Sequence, residues 1–179
     1  MVRLKTRDEI LSAAARQFAS VGFKGASLQD IAAEVGCSKA ALLYHFPSKD
    51  AILTALVAPA AADLAGLGER LRALDAAAAR DAAIEGFADL VLHYRRQIAL
   101  IFDELLKLEH PAFDDLRPHI HELVDACSGR SGDPRDRLMA EVTLAGISAV
   151  VLRGPDPMED AIRESIVDVA RRALVPPKK

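Results

Sequence analysis

The chain has 179 residues, 51% of them apolar and 27% charged, with aromatics at only 4% and no Trp. That length buries one or two small cores, and an Ala- and Leu-rich composition of this kind suits packed helices, so the fold class expected is all-α. No general polyanion affinity follows from a net charge of −3, and two cysteines without metal-like spacing suggest no disulfide framework, as in a reducing cytosol.

Met1 to Arg7 is polar and no apolar run follows, so no signal peptide is expected. The first helix is predicted from about Thr6 to Ser20, with Ile10, Ala14, Phe18 and Val21 as its buried stripe and Gly22 as its stop. Phe23 is expected to close the core, and Arg3, Lys5 and Arg7 to form a solvated arm. Ser27 then caps a second helix, with Asp30 completing a weak capping box. Leu28, Ile31, Ala32 and Val35 form one apolar face, and Gly36 suits the left-handed residue that closes it. Ser38 caps a third helix, Lys39 to about His45, which turns Leu42 and Phe46 inward and Lys39, Ala40, Leu43, Tyr44 and His45 outward. Pro47 ends that helix and Ser48 caps the next. By spacing alone, two short helices joined in this way are either a helix-turn-helix or an ordinary helical hairpin.

The helix from Ser48 places Ile52, Leu53 and Leu56 against the head, and Pro59 is expected to kink or split it. Ala60 to Ala83, with Gly66 and Gly68, is the least determinate stretch and is expected to be partly loop. Helical patterns follow over Ala82–Arg96 and Ile98–Leu108, the latter ended by His110-Pro111. Residues 112–127 form another, which either starts near Arg117 or kinks at Pro118; Ser128 to Pro134 is a loop by composition. Two helices close the chain, Pro134–Arg153 and Met158 to about Leu174. The first is apolar almost all round from Val142 to Leu152, so it needs cover on two sides, yet its apolar tract is too short to span a bilayer; no membrane partner is expected.

SLQDIAAEVGCSKAALLYHFPSKDAIL, preceded by TRDEILSAAARQFASVGFKGAS, resembles the N-terminal domain of the TetR family of bacterial transcriptional repressors over about the first 55 residues. The resemblance implies a DNA-binding, helix-turn-helix domain at 1–48 and a helical effector-binding and dimerisation domain at 49–179. It implies a cytoplasmic homodimer that binds a palindromic operator as a repressor and is released by a small-molecule effector; no cofactor is expected. An activator, a ligand-independent regulator or a metal-sensing variant shares the same head. Within that head, Ser27, Gln29, Ser38, Lys39, Ala40, Leu43, Tyr44, His45 and Lys49 are the implied DNA-contacting positions, with the two serines at phosphates, Lys39 and Ala40 nearest base edges, and Lys49 a point charge on a phosphate. Ala41 and Leu43 depart from the family, which often has Ser or Thr and an aromatic there. The charge distribution agrees: residues 1–50 hold seven Lys/Arg against five acids, leaving 16 basic and 21 acidic residues beyond.

For the body, Phe87, Val91, Tyr94, Phe102 and Leu106 are the candidate effector lining, with Asp103, Glu104, His93 or His121 as polar anchors. The implied dimer interface pairs the last two helices of each subunit through Val142, Ala145, Ala149, Ile162, Ile166 and Val169. No catalytic constellation is legible. His119 and His121 lie two apart on a helix, so they face apart and cannot chelate one ion together. His110, His119, His121, Asp114 and Asp115 cluster in sequence, which is the basis of the metal-sensing variant.

Overall fold

The computed structural model describes residues 2–99, 114–154 and 161–174. Among these every regular element is a helix: α1 Val2–Gly25, α2 Leu28–Val35, α3 Lys39–His45, α4 Lys49–Arg72, α5 Ala76–His93, α6 Arg117–Cys127, α7 Pro134–Arg153 and α8 Ala161–Leu174. Residues 95–99 are also helical. The chain forms two compact units, one of Met1–Pro59 with Arg96–Asp114 and one of Ala60–Arg95 with Asp115–Lys179.

In the first unit, Ile10, Ala13, Ala14 and Phe18 of α1, Ile31 and Ala32 of α2, Leu42 of α3 and Ile52 and Leu53 of α4 make a small dry core. α1 begins earlier than its apolar stripe suggests, at Val2, so the expected arm is helical backbone through Arg7. It breaks internally at Gly22, whose φ of 75° is open to glycine at little cost. Val21, expected inside, is 54% exposed because the register ends at that break. Phe23 reaches the core rim instead, edge-on to Phe18 at 5.2 Å.

α4 runs through Pro59 without ending, and its last turns occupy much of the stretch expected to be loop. By length and composition α4 is apolar enough to cross a bilayer. Core helices pass the same test, and Leu64, Leu67 and Leu71 are buried among the helices of the second unit. α5 starts six residues before its periodicity does, at the N-cap Asp75, whose carboxylate accepts from the Ala77 and Ala78 amides at 3.0 and 2.9 Å. An alanine run offers no contrast between faces, so the cap was its only sequence signal.

The second unit is built around α5, which packs against α6, α7 and α8. Ala79, Ala83, Phe87 and Val91 face Leu123, Val124, Ala140, Leu144, Val167 and Ala170 in its core. α6 begins at Arg117, the first of the two expected alternatives. Ion pairs tie α5 to α8: Arg163 to Asp89 at 2.9 Å, and Arg171 to Glu85 at 2.5 Å.

Candidate DNA-binding surface

The geometry of the head follows from its caps. The Ser27 hydroxyl accepts from the Asp30 amide at 3.1 Å and donates to the Asp30 carboxylate at 2.6 Å, fixing the start of α2. At its end Gly36 adopts φ 76°, and Gly36 N–H and Cys37 N–H donate to the Ala33 and Ala32 carbonyls, a Schellman turn. Two residues later Ser38 accepts from the Ala41 amide at 3.1 Å and opens α3. Three residues, Gly36 to Ser38, therefore separate the two helices.

α3 is anchored by Leu42, fully buried, and by Phe46, 3% exposed, which forms its C-cap in extended backbone. A seven-residue helix with these two anchors has its opposite face free of the core. Lys39, Ala40, Leu43 and Tyr44 lie on that face, Leu43 at 39% and Tyr44 at 68% exposure; Gln29 and Ser38 are exposed, and His45 is half-buried with its ring edge-on to Tyr44 at 5.5 Å. The structure thus brings the candidate contacts of α3 onto one accessible, acid-free surface.

Two candidates depart from expectation. Ser27 spends its hydroxyl on Asp30, and a carboxylate 2.6 Å away disfavours an anion there. Lys49 is half-buried, and its ammonium donates to the carbonyls of Phe23 at 2.6 Å and Ala26 at 3.0 Å, over the Phe23 ring at 4.5 Å. A cation at the negative C-terminal end of a helix is favoured.

Sequence reasoning missed the contacts that hold α1 to its neighbours. Arg16 and Gln17 donate to the two carboxylate oxygens of Glu34 at 2.6 and 2.8 Å. Gln17 first and then Arg16 hold that carboxyl below its ordinary value. Arg7, expected in a solvated arm, stands 5.0 Å over the Phe46 ring. Charged residues on exposed helix faces carry no periodic signal, so these pairings were not legible.

The backbone pattern and the identity of these residues converge on one family. Residues 10–56 match the family described as bacterial regulatory proteins, tetR family. The head is similar to that family over this stretch. A stretch of 51 residues is 50% identical to the HTH-type transcriptional regulator RutR of Escherichia coli K12, covering 28% of this chain and 24% of that protein. The match therefore spans about a quarter of the relative's length. Over the whole chain, a similar fold is found in the TetR family transcriptional regulator PfmR from Thermus thermophilus, at 22% identity and TM-score 0.69, covering 95% of this chain and 99% of that one. It is also found in AibR, crystallised with isovaleryl coenzyme A and operator DNA, at 19% identity and TM-score 0.68, covering 96% and 100%. Both RutR and PfmR are described as transcriptional regulators.

In the second unit, Phe87 and Tyr94 are each 8% exposed and Val91 is fully buried, whereas His121 is exposed and so lines no enclosed site there. Phe102 and Leu106, with Asp103, Glu104 and His110, lie outside the described residues. The Tyr94 hydroxyl donates to Asp63 at 2.7 Å, and that bond to a carboxylate pushes its pKa up. His93 is exposed, its ring edge-on to Tyr94 at 4.6 Å. Among the described residues no three His, Cys, Asp or Glu side chains converge as metal ligands would. On α7 and α8, Val142 (59%), Val150 (65%) and Val169 (56%) are exposed, as is Ala145; Ala149 and Ile162 are half-buried. Ile166 is 7% exposed, spent inside its own unit because the α8 stripe packs on α5 and α7.

Proposed function

We propose that this protein is a cytoplasmic transcriptional regulator that binds a palindromic operator as a homodimer and releases it when a small molecule occupies its body. The observation that carries the reading is the solvent-facing side of α3, where Lys39, Ala40, Leu43 and Tyr44 stand outward on a helix fixed by Leu42 and Phe46. A helix held this way enters the major groove, and a two-fold dimer reads half-sites about one helical turn (~34–36 Å) apart. In this reading residues 1–48 read DNA, and 49–179 hold the effector and the second subunit. The exposed valines of α7 and α8 support the dimer, since large apolar side chains grouped on adjoining helices gain by being covered. AibR, on the same fold, is described with both an acyl coenzyme A and operator DNA, which supports an effector acting alongside DNA. Repression by release requires the effector to prefer the conformation that fits DNA poorly.

The test is selection of bound duplexes from a random DNA pool, followed by affinity against salt. A palindrome is expected to enrich, with affinity falling steeply as salt rises. Tyr44→Ala is expected to weaken binding to the selected duplex by about tenfold to a hundredfold, the scale of one lost recognition contact, while leaving the oligomeric state unchanged. No enrichment at any salt, also after refolding to strip ligand, rejects the reading.

A further inference from the structure

We propose that Lys49 is a positioning residue that locks the recognition helix to the C-terminal end of α1, and that it does not serve as a phosphate contact. The proposal rests on the reading that the head binds DNA. An ammonium has three donors. Here they face three carbonyls, Phe23 at 2.6 Å, Ala26 at 3.0 Å and Lys24 at 3.4 Å, with the Phe23 ring below the charge at 4.5 Å. A phosphate oxygen gains this cation only if these three contacts are broken.

The connection matters because of where its ends lie. Ala26 immediately precedes Ser27, the cap of α2, and its amide donates to Gly22 at 3.1 Å across the left-handed break in α1. Lys49 stands three residues after Phe46, the buried C-cap of α3. The ammonium therefore joins the start of α2 to the end of α3 from behind, and Arg7 over Phe46 braces the same corner. Loss of the clasp lets α3 pivot on Leu42. That damages base readout more than general attraction to the DNA backbone.

The experiment uses the full chain with Lys49→Met and Lys49→Gln. Affinity is measured for the selected duplex and for a random-sequence duplex across a salt series, with amide exchange at Ala26 followed in parallel. For Lys49→Met the ratio of specific to non-specific affinity is expected to fall about tenfold, with the salt slope unchanged. Lys49→Gln, neutral but still a carbonyl donor, is expected to recover much of that ratio. Ala26 exchange is expected to accelerate in Met and less in Gln. A salt slope shallower by about one in both variants, with the ratio intact, identifies a phosphate contact and overturns the proposal. An unchanged ratio with an unchanged slope overturns it as well. If the wild-type protein discriminates among no duplexes, the DNA-binding reading fails by itself, and unaltered Ala26 exchange in Lys49→Met then also rejects the clasp. Should the Met variant not fold, the Gln variant carries the same comparison.

Discussion

Several single residues decide how closely the helices approach. Gly86 on α5 has no side chain because Leu67 of α4 occupies that space: a Cβ there would stand 2.6 Å from one Leu67 methyl and 2.8 Å from the other. Overpacking of this kind forces off-rotamer side chains or backbone shifts. Gly86→Ala is expected to lower unfolding free energy by ~1–3 kcal/mol in urea titrations. Gly66→Ala, where only the end of the Arg70 side chain comes within 4 Å, is expected to raise it by up to ~1 kcal/mol on helix propensity. Equal effects at the two sites would refute the close approach. Cys127 is the converse case, a thiol that fills space. It is fully buried, and burial pushes its pKa up to about 12 against the opposing pull of Arg80, so it stays protonated and inert.

Cations also meet the carbonyls at helix ends. Arg130 donates to the Leu71 and Leu74 carbonyls at 2.6 and 2.9 Å, ending α4, and Arg95 donates to Val151 at 2.7 Å and to Gly154, ending α7. With Lys49 at α1, side-chain cations thus meet carbonyls at three helix C-termini, the negative end of the helix dipole. The Arg16–Gln17–Glu34 clasp between α1 and α2 is of another kind, because it titrates. The Glu34 carboxyl is held below its ordinary value, by Gln17 first and then Arg16, so its folded pKa lies below its unfolded one. Its stabilising contribution is therefore complete above the ordinary glutamate range and is lost as pH falls through the lowered value. The melting temperature of Glu34→Gln is expected to fall below wild type at neutral pH and to converge with it in acid. A gap that stays constant down to strongly acid pH would show that the ionised clasp contributes nothing.

At the scale of the whole protein, the outstanding feature is apolar surface that one chain leaves uncovered. Leu138, Met139, Val142 and Val150 of α7 are 59%, 46%, 59% and 65% exposed, and Val169 of α8 is 56% exposed. In the proposed homodimer a second copy would cover them, and with them the helix whose sequence has no polar side. Val142→Glu is expected to raise the dimer dissociation constant by about a hundredfold or more, since an unpaired buried charge costs ~3–5 kcal/mol. Sedimentation velocity over a concentration series measures it, and operator affinity is expected to fall in step. If the variant sediments as the wild type does, the proposed interface is refuted.

The caps and breaks of the head were legible in the chain alone. Ser27, Gly36, Ser38 and Pro47 act through local backbone geometry, which needs no distant partner, and α2 and α3 lie where those residues put them. α7 was legible for the same reason, because Asp133-Pro134 and Gly154 bound it as cap, first-turn proline and stop. Long-range packing set the rest. The extent of α4 and α5 through alanine-rich chain depended on the contact of Leu67 with Gly86, since weak periodicity marks no face. Lys49 is a further case: its sequence position permits a phosphate or a helix end, and its ammonium meets the carbonyls of Phe23 and Ala26, which only folding brings near. Ile166 turned inward and Val169 outward for a reason one helix cannot express, namely where α5 and α7 lie around α8.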